Sequence, residues 1–146
     1  MKPNFSLGSD HAGFELKEEL KRYLESRGLA TTDRGCFSSE RADYPDFAHS
    51  VAEDVEKGAS RFGLIICGSG NGINMAANKH RGIRSALCWK PELASLARQH
   101  NDANILALPA RFISTQEAKD ILDAFLVASF EGGRHALRVE KIGGSC

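Results

Sequence analysis

The stretch that decides the fold is Phe62-Gly-Leu-Ile-Ile-Cys67, which runs directly into the glycine-rich segment Gly68-Ser-Gly-Asn-Gly72. A continuous run without charged residues is typical of a strand that is buried on both faces of a parallel sheet. Such a sheet needs a helix after each strand, and the glycines allow a tight turn into one that runs through Met75. The stretch therefore predicts the central strand of an α/β fold.

On either side of this strand, apolar segments alternate with helical patterns along the whole chain. Four further strands are predicted at residues 5–8, 29–33, 84–88 and 104–108. Helices are predicted at residues 14–24 and 47–55, from Pro91 to about His100, after Ser114-Thr-Gln-Glu117, and in the tail at Arg134–Ile142. We predict one domain over residues 1–146, a three-layer α/β/α Rossmann-like sandwich with a five-stranded parallel sheet.

The composition is that of one soluble domain, with 146 residues of which 42% are hydrophobic and 26% are charged. Lys plus Arg and Asp plus Glu each number 19, so the net charge is zero and a general nucleic-acid binder is not expected. No apolar stretch could span a bilayer and the N-terminus lacks a secretory pattern, so we expect a cytoplasmic protein without a membrane partner. The four cysteines, Cys36, Cys67, Cys88 and Cys146, should then be reduced thiols.

The end of the central strand carries the strongest candidate site, because ligands of open parallel sheets bind beyond the carboxyl ends of the strands. Cys67 lies at the last strand position, where the start of a helix favours a thiolate. Residues 68–72 favour an anion, although their spacing is GxGxG rather than the dinucleotide pattern GxGxxG. A tight turn without a ligand, and a cysteine that only fills the core, remain the alternatives.

Polar residues at two other places are weaker candidates. Asp10 and His11 directly follow the first predicted strand and could contact a ligand, or form only a hydrogen-bonded turn. Arg134 and Arg138 lie on one helical face, where they could hold a phosphate or form a solvated basic surface. The five histidines form neither an HxxxH nor an HxH pattern, and no carboxylate accompanies them at metal-site spacing, so neither a metal site nor a cofactor is expected.

Six segments in one order resemble the ribose-5-phosphate isomerase B family, and together they cover nearly the whole chain. They are Gly8-Ser-Asp10-His11-Ala-Gly13-Phe14, Ser38-Ser-Glu-Arg-Ala-Asp-Tyr-Pro45, Ile66-Cys67-Gly-Ser-Gly-Asn-Gly-Ile73, Ala76-Ala-Asn-Lys79, Arg98-Gln-His100-Asn101-Asp-Ala-Asn104 and Glu131-Gly-Gly-Arg134-His135. The resemblance implies an enzyme of the pentose phosphate pathway that interconverts D-ribose 5-phosphate and D-ribulose 5-phosphate. Without a metal, this reaction needs a base that moves a proton through an enediolate.

The resemblance also implies roles for individual residues. Cys67 would be the base that moves the proton between C1 and C2, and His100 the acid or base that opens the furanose ring. The substrate-binding residues that it implies are Asp10, His11, Gly68, Ser69, Gly70, Asn71, Gly72, Asn101, Arg111, Arg134 and Arg138. Among them, the N–H groups of the glycine-rich loop would stabilise the enediolate oxygen, and the three arginines would face the phosphate.

Two features depart from the family pattern, and a third separates two branches of the family. Ser69 stands where many relatives have Thr, a change that keeps the hydroxyl. Another branch replaces the cysteine by Ser and takes its base from a Glu in the following helix, whereas residues 74–76 here contain no carboxylate. This favours the cysteine-dependent branch. Pro109-Ala110 stands where relatives often have glycine, which leaves the reach of Arg111 open.

The position of His100 in the chain leads to a prediction about assembly. His100 and Asn101 end the fourth predicted helix and should lie at the amino edge of the sheet, whereas Cys67 lies at the carboxyl edge. A strand of five or six residues separates these edges by about 17 to 20 Å. We therefore predict a homodimer or homotetramer in which His100 and Asn101, together with Arg111, complete the site of a neighbouring subunit, as the resemblance also implies.

Three other functions remain open. An isomerase of a 6-phosphosugar, such as allose or galactose 6-phosphate, would use the same residues, because one extra carbon changes only the distance between base and phosphate. A nucleotide- or flavin-binding module would need a GxGxxG loop and an acidic ribose partner, which the chain lacks. A thiol redox protein would need a second cysteine near Cys67.

Overall fold

The computed structural model describes residues 2–144 of the chain. Its strands are β1 (Phe5–Ser9), β2 (Thr31–Asp33), β3 (Phe62–Cys67), β4 (Ser85–Leu87) and β5 (Ile105–Pro109). Its α-helices are α1 (Phe14–Ser26), α2 (Tyr44–Glu56), α3 (Asn71–Ala77), α4 (Pro91–Asn101), α5 (Thr115–Val127) and α6 (Arg134–Ile142). The strands form one sheet in the order β2-β1-β3-β5-β4, and all the pairings are parallel.

Strand β3 lies at the centre of this sheet, and all six of its residues are buried. Its side chains alternate between two apolar layers, as the period of a strand requires. Phe62, Leu64 and Ile66 pack in one cluster with residues of α1, α4 and α5. Ile65 and Cys67 pack in the other with residues of α2 and α3. The predicted three-layer α/β/α sheet is thus confirmed, with the Cys67 side chain on the layer of α2 and α3.

The order of the strands brings two strand ends together. Strand β2 lies on one side of β1, and β3 lies on the other side. The connections after β1 and after β3 therefore run in opposite directions across the sheet, which makes the β1–β3 boundary a topological switch point. Ser9 lies opposite Ile66, and Cys67 lies opposite Pro109 of β5. The residues that follow β1, β3 and β5 therefore meet at one edge of the sheet.

Helix α2 approaches the sheet closely because a glycine in β1 makes room for it. A Cβ atom at Gly8 would lie 2.9 Å from Cγ2 of Val51 and 3.1 Å from the carbonyl oxygen of Phe47. Both distances are shorter than a relaxed contact, so a side chain at this position would push α2 outwards. This contact holds the start of α2, and with it Tyr44, near the ends of β1 and β3.

The predicted elements all occur, with differences at the ends of the edge strands. Strand β2 begins at Thr31 rather than at residue 29, and β4 covers only Ser85–Leu87. Each of these strands pairs on one side only, so fewer hydrogen bonds extend it. The predicted capping box at Ser114 and Glu117 is present, with both of its hydrogen bonds. Among the described residues, no helix combines the length and apolarity needed to cross a membrane.

Candidate active site

A cavity of about 530 Å³ opens at the switch point, beyond the carboxyl ends of β1, β3 and β5. It is lined by Asp10, His11, Ala12, Tyr44, Cys67, Gly68, Ser69, Gly72, Arg111 and Phe112. Most of the residues that were predicted from the sequence to bind substrate near Cys67 line this cavity. Gly70 ends the adjoining loop, and Asn71 is the first residue of α3. The cavity therefore combines a thiol, a carboxylate, an imidazole and a guanidinium group, which is a polar set of groups suited to a small anionic ligand.

Cys67 lies at the junction of strand and loop, with only 5% of its surface exposed. Its Sγ accepts a hydrogen bond from the Gly70 N–H at 3.2 Å. This hydrogen bond fixes the position of the sulfur relative to the loop that follows β3. Cys67 is thus almost fully buried, and it also borders the cavity.

Gly70 holds the loop in the conformation that makes this hydrogen bond. Its φ is 77°, in the left-handed region that favours glycine. A Cβ atom there would meet Cδ1 of Leu87 and would lie 3.1 Å from the carbonyl carbon of Leu108. The loop therefore lies directly against the side of the sheet formed by β4 and β5, and its N–H groups are fixed in position.

The other described thiols have different surroundings. Cys88 follows β4, and burial raises the pKa of its thiol to about 12. It borders a larger cavity of about 710 Å³ along β4. Asn101 is the only predicted site residue that lines this larger cavity. Cys36 and Cys88 are free thiols, and Cys146 lies outside the described residues. The smaller cavity, with Cys67, is thus the better candidate for an active site.

Asp10 and His11 form one side of the Cys67 cavity. Asp10 is buried, and its Oδ1 accepts the Gly13 N–H at 3.1 Å, which caps the 3₁₀ turn His11–Gly13. The Ala42 N–H lies 3.3 Å from Nδ1 of His11 and donates to it. The local turn that was the alternative interpretation of Asp10 is therefore real, and the same residue also lines the cavity. Its role in the turn fixes where its carboxylate lies.

Arg111 lies in this cavity, which corrects one part of the predicted assembly. Its side chain passes over Gly68, where a Cβ atom would lie 3.1 Å from Nη1, and its N–H donates to the Gly68 carbonyl oxygen at 3.0 Å. We expected Arg111 to join His100 in completing the site of a neighbour. It lies instead beside Cys67 of its own chain, because Pro109 ends β5 at the same sheet edge as Cys67.

His100 lies in a second group of residues, apart from the Cys67 cavity. It is in the last turn of α4, and the β5 strand that follows pairs at Ile105 with Gly63, at the amino end of β3. The His100 ring stacks on the His135 ring of α6, with centroids 4.2 Å apart and planes 11° apart. Arg134 and Arg138 lie on the same helix, α6, as His135. The predicted residues thus form two groups within one chain.

A carboxylate completes the second group. Oε1 of Glu131 lies 3.8 Å from Nε2 of His100 and 3.7 Å from Nε2 of His135. The pKa of His135 is lowered, first by its burial and then by the positive charges of His100 and Arg134. Nε2 of His135 is itself buried and lacks a hydrogen-bond partner among the described atoms. This ring is therefore a neutral neighbour of His100.

Sequence reasoning missed four residues near these groups. Tyr44 and Phe112 line the Cys67 cavity. Tyr44 was quoted in a family segment without a role, and nothing in the local pattern of Phe112 points to a ligand. Glu131 and His135 were quoted in a family segment without a role. The sequence showed no carboxylate with the histidines at metal-site spacing, but in the structure Glu131 and His135 converge with His100. Their separation in the sequence, about thirty residues between His100 and Glu131, hides this contact.

Comparison with known proteins identifies relatives along nearly the whole chain. A family model described as Ribose/Galactose Isomerase matches residues 5–142. The ribose-5-phosphate isomerase B of Escherichia coli strain K12 is 50% identical over 137 residues, which are 94% of this chain and 92% of the relative.

Solved structures agree with this finding. The ribose 5-phosphate isomerase of Thermotoga maritima superposes with a TM-score of 0.97 at 46% identity, and 99% of each chain is covered. The ribose-5-phosphate isomerase B of Mycoplasma genitalium, solved with bound ribulose-5-phosphate, superposes with a TM-score of 0.92 at 43% identity. That match covers 97% of this chain and 94% of the other. The whole described fold is therefore shared with these enzymes.

Proposed function

We propose that this chain, which belongs to the ribose/galactose isomerase family, interconverts D-ribose 5-phosphate and D-ribulose 5-phosphate with Cys67 as its base. The observation that carries the proposal is that Cys67 lines the cavity and that its sulfur accepts a hydrogen bond from the Gly70 N–H at 3.2 Å. The enzyme works as one domain over residues 1–146, in the cytoplasm and in the pentose phosphate pathway. It uses no cofactor and has neither nucleic acid nor membrane as a partner.

The first step is the opening of the sugar ring, because the aldehyde of ribose 5-phosphate is masked as a furanose. His100 transfers the proton between the C1 hydroxyl and the ring oxygen, which breaks the bond between C1 and that oxygen. An imidazole suits this task because its ordinary pKa allows it to give and to take a proton near neutral pH. Asn101 assists by binding the sugar beside it.

The second step moves a hydrogen between adjacent carbons. The Cys67 thiolate takes the proton from C2, and the electrons of that C–H bond form the C1–C2 double bond while the aldehyde oxygen becomes an oxyanion. The same thiol then returns the proton to C1, and the proton of the C2 hydroxyl passes to the oxyanion on C1, which leaves a C1 hydroxyl and a C2 ketone. C2 is oxidised and C1 is reduced within one molecule, so no external oxidant or reductant takes part.

Backbone N–H groups of residues 68–72 stabilise the charge that develops on the enediolate oxygen. Donors of this kind are fixed before the reaction, and the loss of one commonly costs about 10² to 10³ in rate. The close packing of Gly70 against Leu108 supports this role. A loop that is held in position needs no reorganisation during the reaction. Asp10 and His11 hold the sugar hydroxyls on the opposite side of the cavity.

The phosphate is held by arginines from two subunits. Arg111 extends over Gly68 from the same chain, and Arg134 and Arg138 come from a neighbouring subunit together with His100 and Asn101. Guanidinium groups bind phosphate oxygens in pairs, and two of them on one helical face match that geometry. The functional unit is accordingly a homodimer, or a homotetramer built from such dimers.

A comparison of two reactions tests this proposal. We expect wild type to isomerise ribose 5-phosphate, and to exchange the C1 hydrogen of ribulose 5-phosphate with D₂O, equally well with and without a chelator. Cys67→Ala should lose about 10² to 10⁴ in both rates, because both need the base. The matched control is Cys88→Ala, which removes a thiol outside the proposed site and should keep wild-type rates. Full activity in Cys67→Ala, or loss on adding chelator, would contradict the mechanism.

A 6-phosphosugar remains the second candidate substrate, because the description of the matching family model names both ribose and galactose isomerases. The kinetic comparison therefore includes allose 6-phosphate and galactose 6-phosphate. We expect kcat/KM for ribose 5-phosphate to exceed both. A higher kcat/KM for either 6-phosphosugar would mean that the same residues act on a longer sugar.

A further inference from the structure

The stacked pair of imidazole rings on α4 and α6 is a feature that the proposed mechanism does not use. The rings of His100 and His135 are nearly parallel, 11° apart, with centroids at 4.2 Å. The two side chains differ in exposure, since 38% of the His100 side chain is accessible but only 7% of the His135 side chain is. One face of the His100 ring is therefore covered by a buried ring, and its remaining surface is open.

We propose that His135 is a positioning residue, which holds the His100 imidazole in the orientation needed to transfer the ring-opening proton. This inference rests on the proposed function, in which His100 acts on the sugar ring. His100 lies in the last turn of its helix and is partly exposed, so without a neighbour its ring could turn about two side-chain bonds. A flat ring fixed in α6 restricts that rotation to the stacked orientation.

The burial of His135 is what makes it suitable for this task. A side chain that is 93% buried in packed surroundings has few alternative rotamers. Burial also lowers the pKa of His135, and the positive charges of His100 and Arg134 lower it further, against the effect of Glu131. The supporting ring is thus neutral, and it does not repel His100 when that residue carries a proton during the reaction.

A metal site is the other use for which these residue types are suited, but the geometry disfavours it. Two imidazoles and a carboxylate can bind zinc, and the Glu131, His100 and His135 ligand atoms lie within 4.8 Å of one another. A metal ion must lie near the plane of each ring, along the nitrogen lone pair. Rings that are stacked in nearly parallel planes direct these lone pairs side by side rather than towards one point. One ring would have to leave the stack.

Two variants separate the effect of the flat ring from the effect of packing. His135→Leu fills much of the same buried space but removes the planar surface, whereas His135→Phe keeps a planar ring. Glu140→Ala, an exposed residue of the same helix, is the matched control. Circular dichroism and thermal midpoints establish that each variant is folded. If His135→Leu does not fold, His135→Gln replaces it.

The readout compares a reaction that needs ring opening with one that does not. Ribulose 5-phosphate cannot close a five-membered ring, because its C5 oxygen is esterified, so exchange of its C1 hydrogen with D₂O needs Cys67 but not ring opening. We expect His135→Leu to lower kcat for ribose 5-phosphate by about 10- to 100-fold, the cost of a misplaced catalytic group. Its KM and its exchange rate should stay within about twofold of wild type, and His135→Phe should recover most of kcat.

The outcomes distinguish this inference from the proposed function. His100→Ala should likewise lose isomerisation of ribose 5-phosphate and keep the exchange of the ribulose 5-phosphate C1 hydrogen. If His100→Ala isomerises ribose 5-phosphate normally, the ring-opening role of His100 is wrong. If His100→Ala loses isomerisation but His135→Leu keeps it, the positioning role alone is wrong. An equal fall of both reactions in His135→Leu would mean a general structural effect and would also overturn it. Stoichiometric Zn²⁺ uptake that inhibits wild type and disappears in His135→Leu would replace positioning by metal binding.

Discussion

Two cysteines of the same sheet show how position decides the chemistry of a thiol. Cys67 ends β3 beside a cavity, and its sulfur accepts a backbone N–H. Cys88 follows the edge strand β4, and burial raises the pKa of its thiol to about 12. A thiol with such a pKa is uncharged at neutral pH and is a poor base or nucleophile. Cys67, by contrast, borders the cavity that is also lined by Asp10, His11 and Arg111.

The loop geometry around Cys67 depends on Gly70. Substitutions at Gly70 and at a second glycine distinguish the effect of the left-handed backbone from the effect of contacts made by an added Cβ atom. Gly70→Ala should lower kcat by about tenfold or more, because the new Cβ would meet Leu87 and Leu108 and displace the N–H donor. Gly82→Ala is the matched control, with a φ of 79° but nothing within 4 Å of the added Cβ. Both variants should lose about 1 kcal/mol of stability from the left-handed conformation. Equal kinetics for the two would show that the Gly70 contacts do not matter.

At the scale of elements, a helix cap and one partly exposed ion pair connect the sheet and its helices. Helix α5 starts at a complete capping box, in which Ser114 Oγ accepts the Glu117 N–H at 3.1 Å and Glu117 Oε1 accepts the Ser114 N–H at 2.9 Å. Asp54 of α2 accepts hydrogen bonds from Ser6 of β1 at 2.7 Å and from Arg34, just after β2. These contacts connect parts of the chain that are far apart in sequence.

The capping box predicts a change in stability without a change in chemistry. Ser114→Ala should lower the free energy of unfolding by about 1 kcal/mol, since it leaves the Glu117 N–H without its partner. Urea denaturation measures the change, with the exposed neighbour substitution Thr115→Ala as control. The isomerase rate should remain that of wild type. An unchanged urea midpoint in Ser114→Ala would mean that water replaces the cap without cost.

The Asp54 contacts predict a pH-dependent stability. The hydrogen bonds from Arg34 lower the pKa of Asp54 in the folded protein, against the effect of burial, and Ser6 lowers it further. A carboxyl whose pKa is lower when folded stabilises the fold above its unfolded pKa of about 3.9, and this contribution is lost as the pH falls through the folded pKa.

Asp54→Asn should therefore lower the free energy of unfolding by about 1 to 2 kcal/mol at pH 7. The value is modest because the Arg34 side chain is 46% exposed. The difference from wild type should shrink as the pH is lowered below about 4, which urea titrations at several pH values will measure. Asp120→Asn, on the exposed surface of α5, provides the comparison at each pH. A difference between Asp54→Asn and wild type that is constant down to pH 2 would show that the charge of Asp54 makes no contribution.

At the scale of the whole molecule, the proposed catalytic groups lie at opposite ends of the sheet. Cys67 and Arg111 are at the carboxyl ends of the strands, and His100 is in the helix that leads to the amino end of β5. The four steps of β3 from Gly63 to Cys67 alone span about 13 Å. A sugar phosphate with five carbons cannot contact both groups in one chain, so the proposed mechanism needs a second copy.

Subunit mixing tests this requirement. Cys67→Ala and His100→Ala should each be inactive in isomerisation alone, because every site lacks one group. In mixed dimers, one of the two sites receives Cys67 from one subunit and His100 from the other, so random exchange should restore about a quarter of the wild-type activity. Mixing Cys67→Ala with the double variant Cys67→Ala/His100→Ala is the control that should restore none. Absence of recovery in verified mixed dimers would rule out a shared site.

Most of the fold was predictable because its signals are local. The apolar run Phe62–Cys67, the capping box at Ser114 and the alternation of strands with helices each depend on neighbours within a few residues. The ends of β2 and β4 were less predictable, since the length of an edge strand depends on its single partner. Arg111 was misplaced for a related reason. Its position follows from the pairing of β5 with β3, which no local pattern encodes.

By itself, the sequence determined the α/β class and the parallel sheet, and it indicated the cysteine–glycine loop as the centre of the candidate site, because these features depend on spacing and residue type. Only the tertiary structure decided that β1, β3 and β5 end around one cavity, and that His100 stacks on His135 far from it. The physical reason is that strand order and helix packing depend on the burial of apolar faces across the whole molecule. Contacts between residues thirty or more positions apart arise only when those faces meet.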